Sequence, residues 1–226
     1  MKIKLLLCLS FLLCLSVFSQ TRDICPDGVY MTLEQIKNLT PQFHANLEVI
    51  RRTQSDIAFN GGNDYELKSN NDSLNKSFIK KKMFAYVKND SIFLNCMNYQ
   101  LSTWYALILT RGNYMVFKGA MSNSRSSQEV SPYGVMFGAI GGGIAGANAA
   151  KKRFLYVLSL RTGNVRELTK EYLIQRLKEN QESLLEQYNA EKEPKSEEVL
   201  LRYINLLNET VSPVSTAPKA EEEKKK

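Results

Sequence analysis

Three spacings of apolar residues follow one another along this chain. A continuous run opens it, alternation fills the middle, and a three-to-four-residue spacing closes it. The opening run spans Leu5 to Phe18, broken only by Ser10 and Ser16. Lys2 and Lys4 precede it, and Val17-Phe18-Ser19-Gln20 follows with small residues one and three positions before the Ser19/Gln20 bond. A short basic stretch, an apolar run and a small-residue cleavage site make a secretory signal peptide over residues 1–19. The run is short of the roughly 20 apolar residues that span a bilayer. Leu7 before Cys8 and Leu13 before Cys14 are poor lipoprotein signals. The expectation is an exported protein, periplasmic, outer-envelope or secreted, that begins at Gln20.

Alternation starts after residue 60. Asn60-Gly61-Gly62-Asn63 reads as a turn, and a short strand is predicted near Tyr65–Leu67. Met83–Lys88 and Ser91–Met97 flank Asn89-Asp90 as a hairpin. Tyr105–Thr110 and Tyr114–Lys118 flank Arg111-Gly112-Asn113 as a second. Phe154–Leu160 and Val165–Leu168 flank Arg161-Thr162-Gly163-Asn164 as a third. Aromatic and β-branched residues crowd these strands, as a pleated, half-buried surface requires. The Lys80-Lys81-Lys82 run then reads as a solvated strand approach.

Helical spacing appears at both ends. Thr32 with Gln35 fits a capping box ahead of Leu33, Ile36 and Leu39, with a stop at Pro41. Thr169 caps a helix over Lys170–Ala190 that carries Leu173, Leu177, Leu184 and Tyr188 on one stripe. A further helix starts at Lys195, with Leu200, Ile204 and Leu207 in register. Residues 211–226 end in Glu221-Glu222-Glu223-Lys224-Lys225-Lys226, have nothing to bury, and predict a disordered charged tail.

Between the second and third hairpins, Val130 to Ala150 carries no charge, and Gly134, Gly138, Gly142 and Gly146 recur at every fourth position. On a helix they share one face, the spacing that lets two helix backbones approach in membranes. Each glycine costs a helix about 1 kcal/mol against alanine, so something must offset it. Residues 132–150 would rise about 28 Å as a helix, near the roughly 30 Å hydrocarbon thickness. Three readings stay open: packing within the fold, a membrane or self-association element, or a glycine-rich loop. Gly141-x-Gly143-x-x-Gly146 mimics a dinucleotide fingerprint, but too few residues precede the strand at Phe154 for a crossover helix. Ala147 and Asn148 stand where a phosphate loop needs Lys and Ser or Thr.

Charge changes this picture little. The chain has 30 basic and 23 acidic side chains, a net of +7 that is spread along its length rather than concentrated in a stripe. No nucleic-acid partner is expected. Of the four cysteines, Cys25 and Cys96 lie outside the leader. In an oxidising compartment they could pair, closing a loop of about 70 residues worth about 4 kcal/mol, or remain one buried thiol and one loose one.

Catalytic candidates are few. His44 is the single histidine, which excludes a zinc site built on several, and no Gly-x-Ser-x-Gly elbow is present. Cys96 falls in an apolar strand, where thiols are inert. Asp64 and Glu66 could share a strand face, as solvated strands often show. The reading is a non-enzyme with no cofactor and no metal.

Gly28-Val29-Tyr30-Met31-Thr32, the hairpins, the uncharged Gly/Ala run, Arg153-Phe154-Leu155-Tyr156-Val157, Thr162-Gly163-Asn164-Val165 and Leu201-Arg202-Tyr203-Ile204-Asn205-Leu206-Leu207-Asn208 together resemble an uncharacterised family of exported Bacteroidota proteins. The resemblance implies location and fold type, not an activity. The expected architecture is one α+β domain over residues 20–210. It is an antiparallel hairpin sheet with C-terminal helices packed on it and a glycine-zipper-like insertion at 130–150. The expected role is a non-catalytic envelope module with an unknown envelope partner or a second copy of itself. The alternative is membrane association or self-assembly through residues 134–150.

Overall fold

The computed structural model describes residues 24–69, 74–121 and 147–210. Nine strands form one antiparallel sheet: β1 Gly28–Tyr30, β2 Leu47–Arg51, β3 Tyr65–Ser69, β4 Ala85–Lys88, β5 Ser91–Asn95, β6 Tyr105–Thr110, β7 Tyr114–Gly119, β8 Phe154–Ser159 and β9 Val165–Glu167. The main path runs β1-β4-β5-β6-β7-β8-β9, and β2–β3 joins it as a branch through the pair Tyr65↔Tyr105. Among the described residues it is accompanied by α1 Leu33–Lys37, α2 Gln54–Asn60, α3 Lys76–Lys81, α4 Lys170–Asn180, α5 Glu182–Asn189 and α6 Glu197–Thr210, and residues 147–151 are also helical. The fold is α+β, with an antiparallel sheet and helices gathered toward the C-terminus, as the hydrophobic pattern predicts.

Alternate strand residues point to opposite faces, and here both faces are covered. Ala85, Val87, Ile92, Leu94, Ala106, Ile108, Met115, Phe117, Tyr156 and Leu158 line one face and pack with Ile36 of α1. Tyr30 of β1 and Val165 of β9, at the two ends of the strand order, join that same cluster. The sheet therefore curls around it. On the outer face, β7 and β8 present Tyr114, Val116, Leu155 and Val157 to Leu173, Leu177, Tyr188, Ile204 and Leu207 of the C-terminal helices. The outer face of β1, β4, β5 and β6 instead packs under Leu47, Leu67 and Ile79 of the β2–β3 branch and α3. A register shift between Ile108 and Thr110 divides β6 between the two coverings. Leu109, at the shift, is left exposed, as an extra residue in a bulge is.

The three predicted hairpins are all present, and their turns take the expected conformations. Asn89 and Asp90 have φ of 48° and 59°, the pair that a two-residue hairpin loop demands. At α1 the expected cap forms, Gln35 N donating to Thr32 Oγ1 (3.2 Å), but the Gln35 side chain accepts from Met31 N (2.6 Å), one residue before the cap. The helix ends at Lys37, so that Leu39, with φ of 53°, lies beyond it.

Four expectations need correction. The predicted helix over 170–190 breaks at Gln181, whose φ of −156° is extended. The break turns α5 so that Tyr188 meets Tyr203 of α6 edge-on, ring centres 5.0 Å apart. Strand β5 stops at Asn95, because that buried side chain accepts from Met97 N (3.1 Å) and starts a 3₁₀ turn over Cys96–Tyr99. Lys80 and Lys81 end a helix, α3, rather than leading a strand. Finally, β2 and α2 occupy a stretch where the sequence predicts no element.

Candidate functional site

The most unusual backbone lies between β5 and β6. Gln100, Ser102 and Trp104 all have positive φ, at 59°, 67° and 73°. Non-glycine residues pay a steric penalty there, and such strain gathers at functional sites. What holds the segment is Asn63, which is fully buried. Its Nδ2 donates to Leu101 O (2.7 Å) and Thr103 O (2.9 Å), and its backbone N–H donates to Thr103 O (2.8 Å).

Trp104 therefore sits at a fixed place with three cations around its ring. Lys80 Nζ is 4.8 Å from the ring centre, and Lys76 Nζ and the Arg52 guanidinium are each 5.6 Å away. All are within cation–π range. Lys76 and Lys80 are four apart on α3, which puts them on one helix face. Arg52 is buried and internally satisfied. Its Nε donates to Asp56 Oδ2 (2.5 Å), and its Nη1 donates to Gly61 O (2.7 Å) and Asn63 O (2.9 Å). That guanidinium, with the Asn60 amide, holds the Asp56 carboxyl below the usual carboxylate range. Gly62 takes φ of 88°, and a Cβ there would lie 2.7 Å from Trp104 Cδ1. The loop can approach the indole only as glycine.

The same loop also binds the chain just after β7 and just before β8. Ala120 N donates to Asn63 Oδ1 (2.7 Å) just after β7. Just before β8, Arg153 Nε donates to Asp64 Oδ1 (2.7 Å) and Arg153 Nη2 to Gly62 O (3.1 Å). Gly119 and Phe154 are paired neighbours in the sheet. The chain on either side of residues 122–146 is thus held at one place on the body.

The glycines singled out from the sequence, Gly134, Gly138, Gly142 and Gly146, lie outside the described residues, as does the tail over 211–226 and the leader over 1–19. Cys25 and Cys96 are both buried free thiols, so the bond weighed from the sequence is not made. The reason is geometric. Cys25 N donates to Asp90 Oδ1 (2.9 Å), which ties it to the start of β5, while Cys96 follows the far end of that strand. Six extended residues span about 20 Å, and a disulfide needs Cα atoms within about 7 Å. Burial raises both thiol pKa values, opposed at Cys25 by the Tyr30 hydroxyl 3.5 Å away.

His44 is exposed, with Nδ1 2.7 Å from Asp27 O. Asp64 is engaged by Arg153, and Glu66 lies 3.7 Å from Lys76. Among the described residues, no three His, Cys, Asp or Glu side chains group as metal ligands, and no helix is long and apolar enough to cross a membrane. The Trp104 cluster was not legible as a site in the sequence. Its parts come from positions 52, 62, 76, 80, 104 and 153. The available signals were the single tryptophan, the Gly61-Gly62 pair and the four-residue spacing of Lys76 and Lys80.

No curated protein and no solved structure gives a significant match to the chain. One family model does match, described as a family of unknown function, and it covers residues 28–211. That span contains every strand and helix above, along with the Trp104 cluster and the gripped segment. The chain belongs to this family, DUF6563.

Proposed function

We propose that the protein is an exported, non-catalytic module of the cell envelope, of Bacteroidota type, that works by binding a partner. The observation that carries this reading is the double grip of loop 61–64 on Ala120 and Arg153. A two-faced core that fixes the chain on both sides of one glycine-rich stretch, uncharged over Val130–Ala150, is built for presentation rather than for turnover. The leader over Met1–Ser19 supports export. Burial of both thiols, the exposed position of His44 and the pairing of Asp64 with Arg153 support a non-catalytic role.

Fractionation of the native host tests this. The expected result is a chain starting at Gln20 in the envelope fraction, which captures a partner after cross-linking and loses it when Arg153→Ala loosens the grip. An intact polypeptide, leader attached, in the cytosol overturns the reading.

A second reading is favoured by the same grip. Gly134, Gly138, Gly142 and Gly146 act together as a membrane-associating or self-assembling face. Carbonate extraction and sizing, with and without Gly138→Leu and Gly142→Leu, decide it. Release from membranes or loss of assembly in the variants supports it. Extractable monomers in both forms remove it.

A further inference from the structure

The Trp104 end of the sheet carries more positive charge than its acids match. Asp56 is engaged by Arg52 and Asp64 by Arg153, while Glu66 reaches Lys76 only at 3.7 Å. Among the described residues, Lys80, Lys151 and Lys152 enter no ion pair, and Lys151 and Lys152 are exposed. Phe59, on α2, is 87% exposed, the most open large apolar side chain described. The segments bearing these residues converge on one spot. Phe59 lies two residues before Gly61, Gly62 touches Trp104, Lys76 and Lys80 flank the Trp104 ring, and Lys152 adjoins Arg153, which is bonded to Gly62 O.

We propose that this end docks onto an anionic lipid surface, with Lys76, Lys80, Lys151 and Lys152 against headgroup phosphates and Phe59 and Trp104 in the interfacial layer. The inference rests on the binding reading above and names the partner. Charge complementarity selects the anion. The open phenyl ring selects a lipid surface over a free anion, because an interface takes lysine heads and an aromatic ring together and a free anion offers nothing to the ring. Trp104 is half-buried and locked by Asn63, so little ordering is lost on contact.

The test is flotation of the chain starting at Gln20, which contains every described residue, with two kinds of vesicle. One kind is phosphatidylcholine alone, the other an equimolar mixture with phosphatidylglycerol. The expected result is binding to the anionic vesicles only, weakened by salt, with acrylamide quenching of Trp104 reduced on binding. Trp104 is the single tryptophan, so the signal is unambiguous. Lys76→Gln with Lys80→Gln should lower partitioning about 30-fold, and Phe59→Ser about tenfold. Circular dichroism should be unchanged in both, and Lys178→Glu on α4 should bind as the parent does. Binding without preference for phosphatidylglycerol overturns the proposal. So does full binding by the folded double-lysine variant, or equal affinity for soluble polyglutamate. Any of these leaves the envelope reading standing, because fractionation tests that separately.

Discussion

Asn208, near the end of α6, occupies the space that a side chain on Gly112 would need. A Cβ there would lie 2.4 Å from the Asn208 amide carbon, and Gly112 has φ of 141°. The Asn208 side chain accepts from Tyr114 N (2.9 Å) and donates to Tyr114 O (2.9 Å) and Arg111 O (3.3 Å). One amide thus closes the β6–β7 turn and fastens the last helix to the sheet. Gly112→Ala should therefore cost more than about 2 kcal/mol through clash and strain together. Asn208→Ala should cost about 3 kcal/mol, near 1 kcal/mol for each bond lost. Urea midpoints check both, and the double variant should fall well short of the sum because the sites share partners.

Asn63 is the corresponding fastener at the opposite end of the sheet. Asn63→Ala should cost about 3 kcal/mol and release the strain of residues 100–104, raising acrylamide quenching of Trp104. Asn63→Asp separates the two jobs of the amide. It keeps the acceptor for Ala120 N but loses both donors, so quenching should rise as in the alanine variant.

Two buried thiols should be silent in the native state. With pKa values raised by burial at both Cys25 and Cys96, the native chain should react negligibly with thiol reagents near neutral pH. The chain starting at Gln20 should then release two equivalents in denaturant. Cys25, at the sheet's edge beside Tyr30, should be the faster of the two in partial denaturant.

Alkali should unfold this protein through its tyrosines. Burial, reinforced by Glu171 and Glu191, pushes Tyr188 up to about 12, and burial pushes Tyr99 to about 12. Tyr30 and Tyr105 are raised further, mainly by burial. Unfolded tyrosines release their protons near pH 10. Below that value both states hold the proton, and the stability that depends on it is fully present. From there to about 12 the unfolded chain deprotonates while the folded one does not, so stability falls as pH rises. Tyrosinate absorbance should climb in two phases, the second coinciding with loss of circular dichroism.

The sequence revealed the parts of this fold that rest on local chemistry. Asn89-Asp90, Gly112 and Gly163 mark hairpins because they alone supply left-handed backbone cheaply, and Thr32 and Thr169 mark helix starts through their hydroxyls. Where partners are distant in the chain, the signal vanishes. Strand β2 reads Leu-Glu-Val-Ile-Arg, an ordinary pattern, and its place follows from pairing with β3. Helix α2 is only seven residues long and buries only Ile57. The Gln181 break serves a contact between Tyr188 and Tyr203 that no local spacing encodes. Asn63 looks like one more turn residue until its amide is seen bridging Leu101, Thr103 and Ala120.

The adjacency of Gly119 and Phe154 makes the β7–β8 connection a hairpin closed by the sheet itself, whatever the length of chain between them. A hairpin connection can lengthen at a cost that grows only with the logarithm of its length. The Asn63 and Arg153 contacts then act as a clasp on the two strand ends, so a longer or shorter insert engineered there should leave the sheet standing.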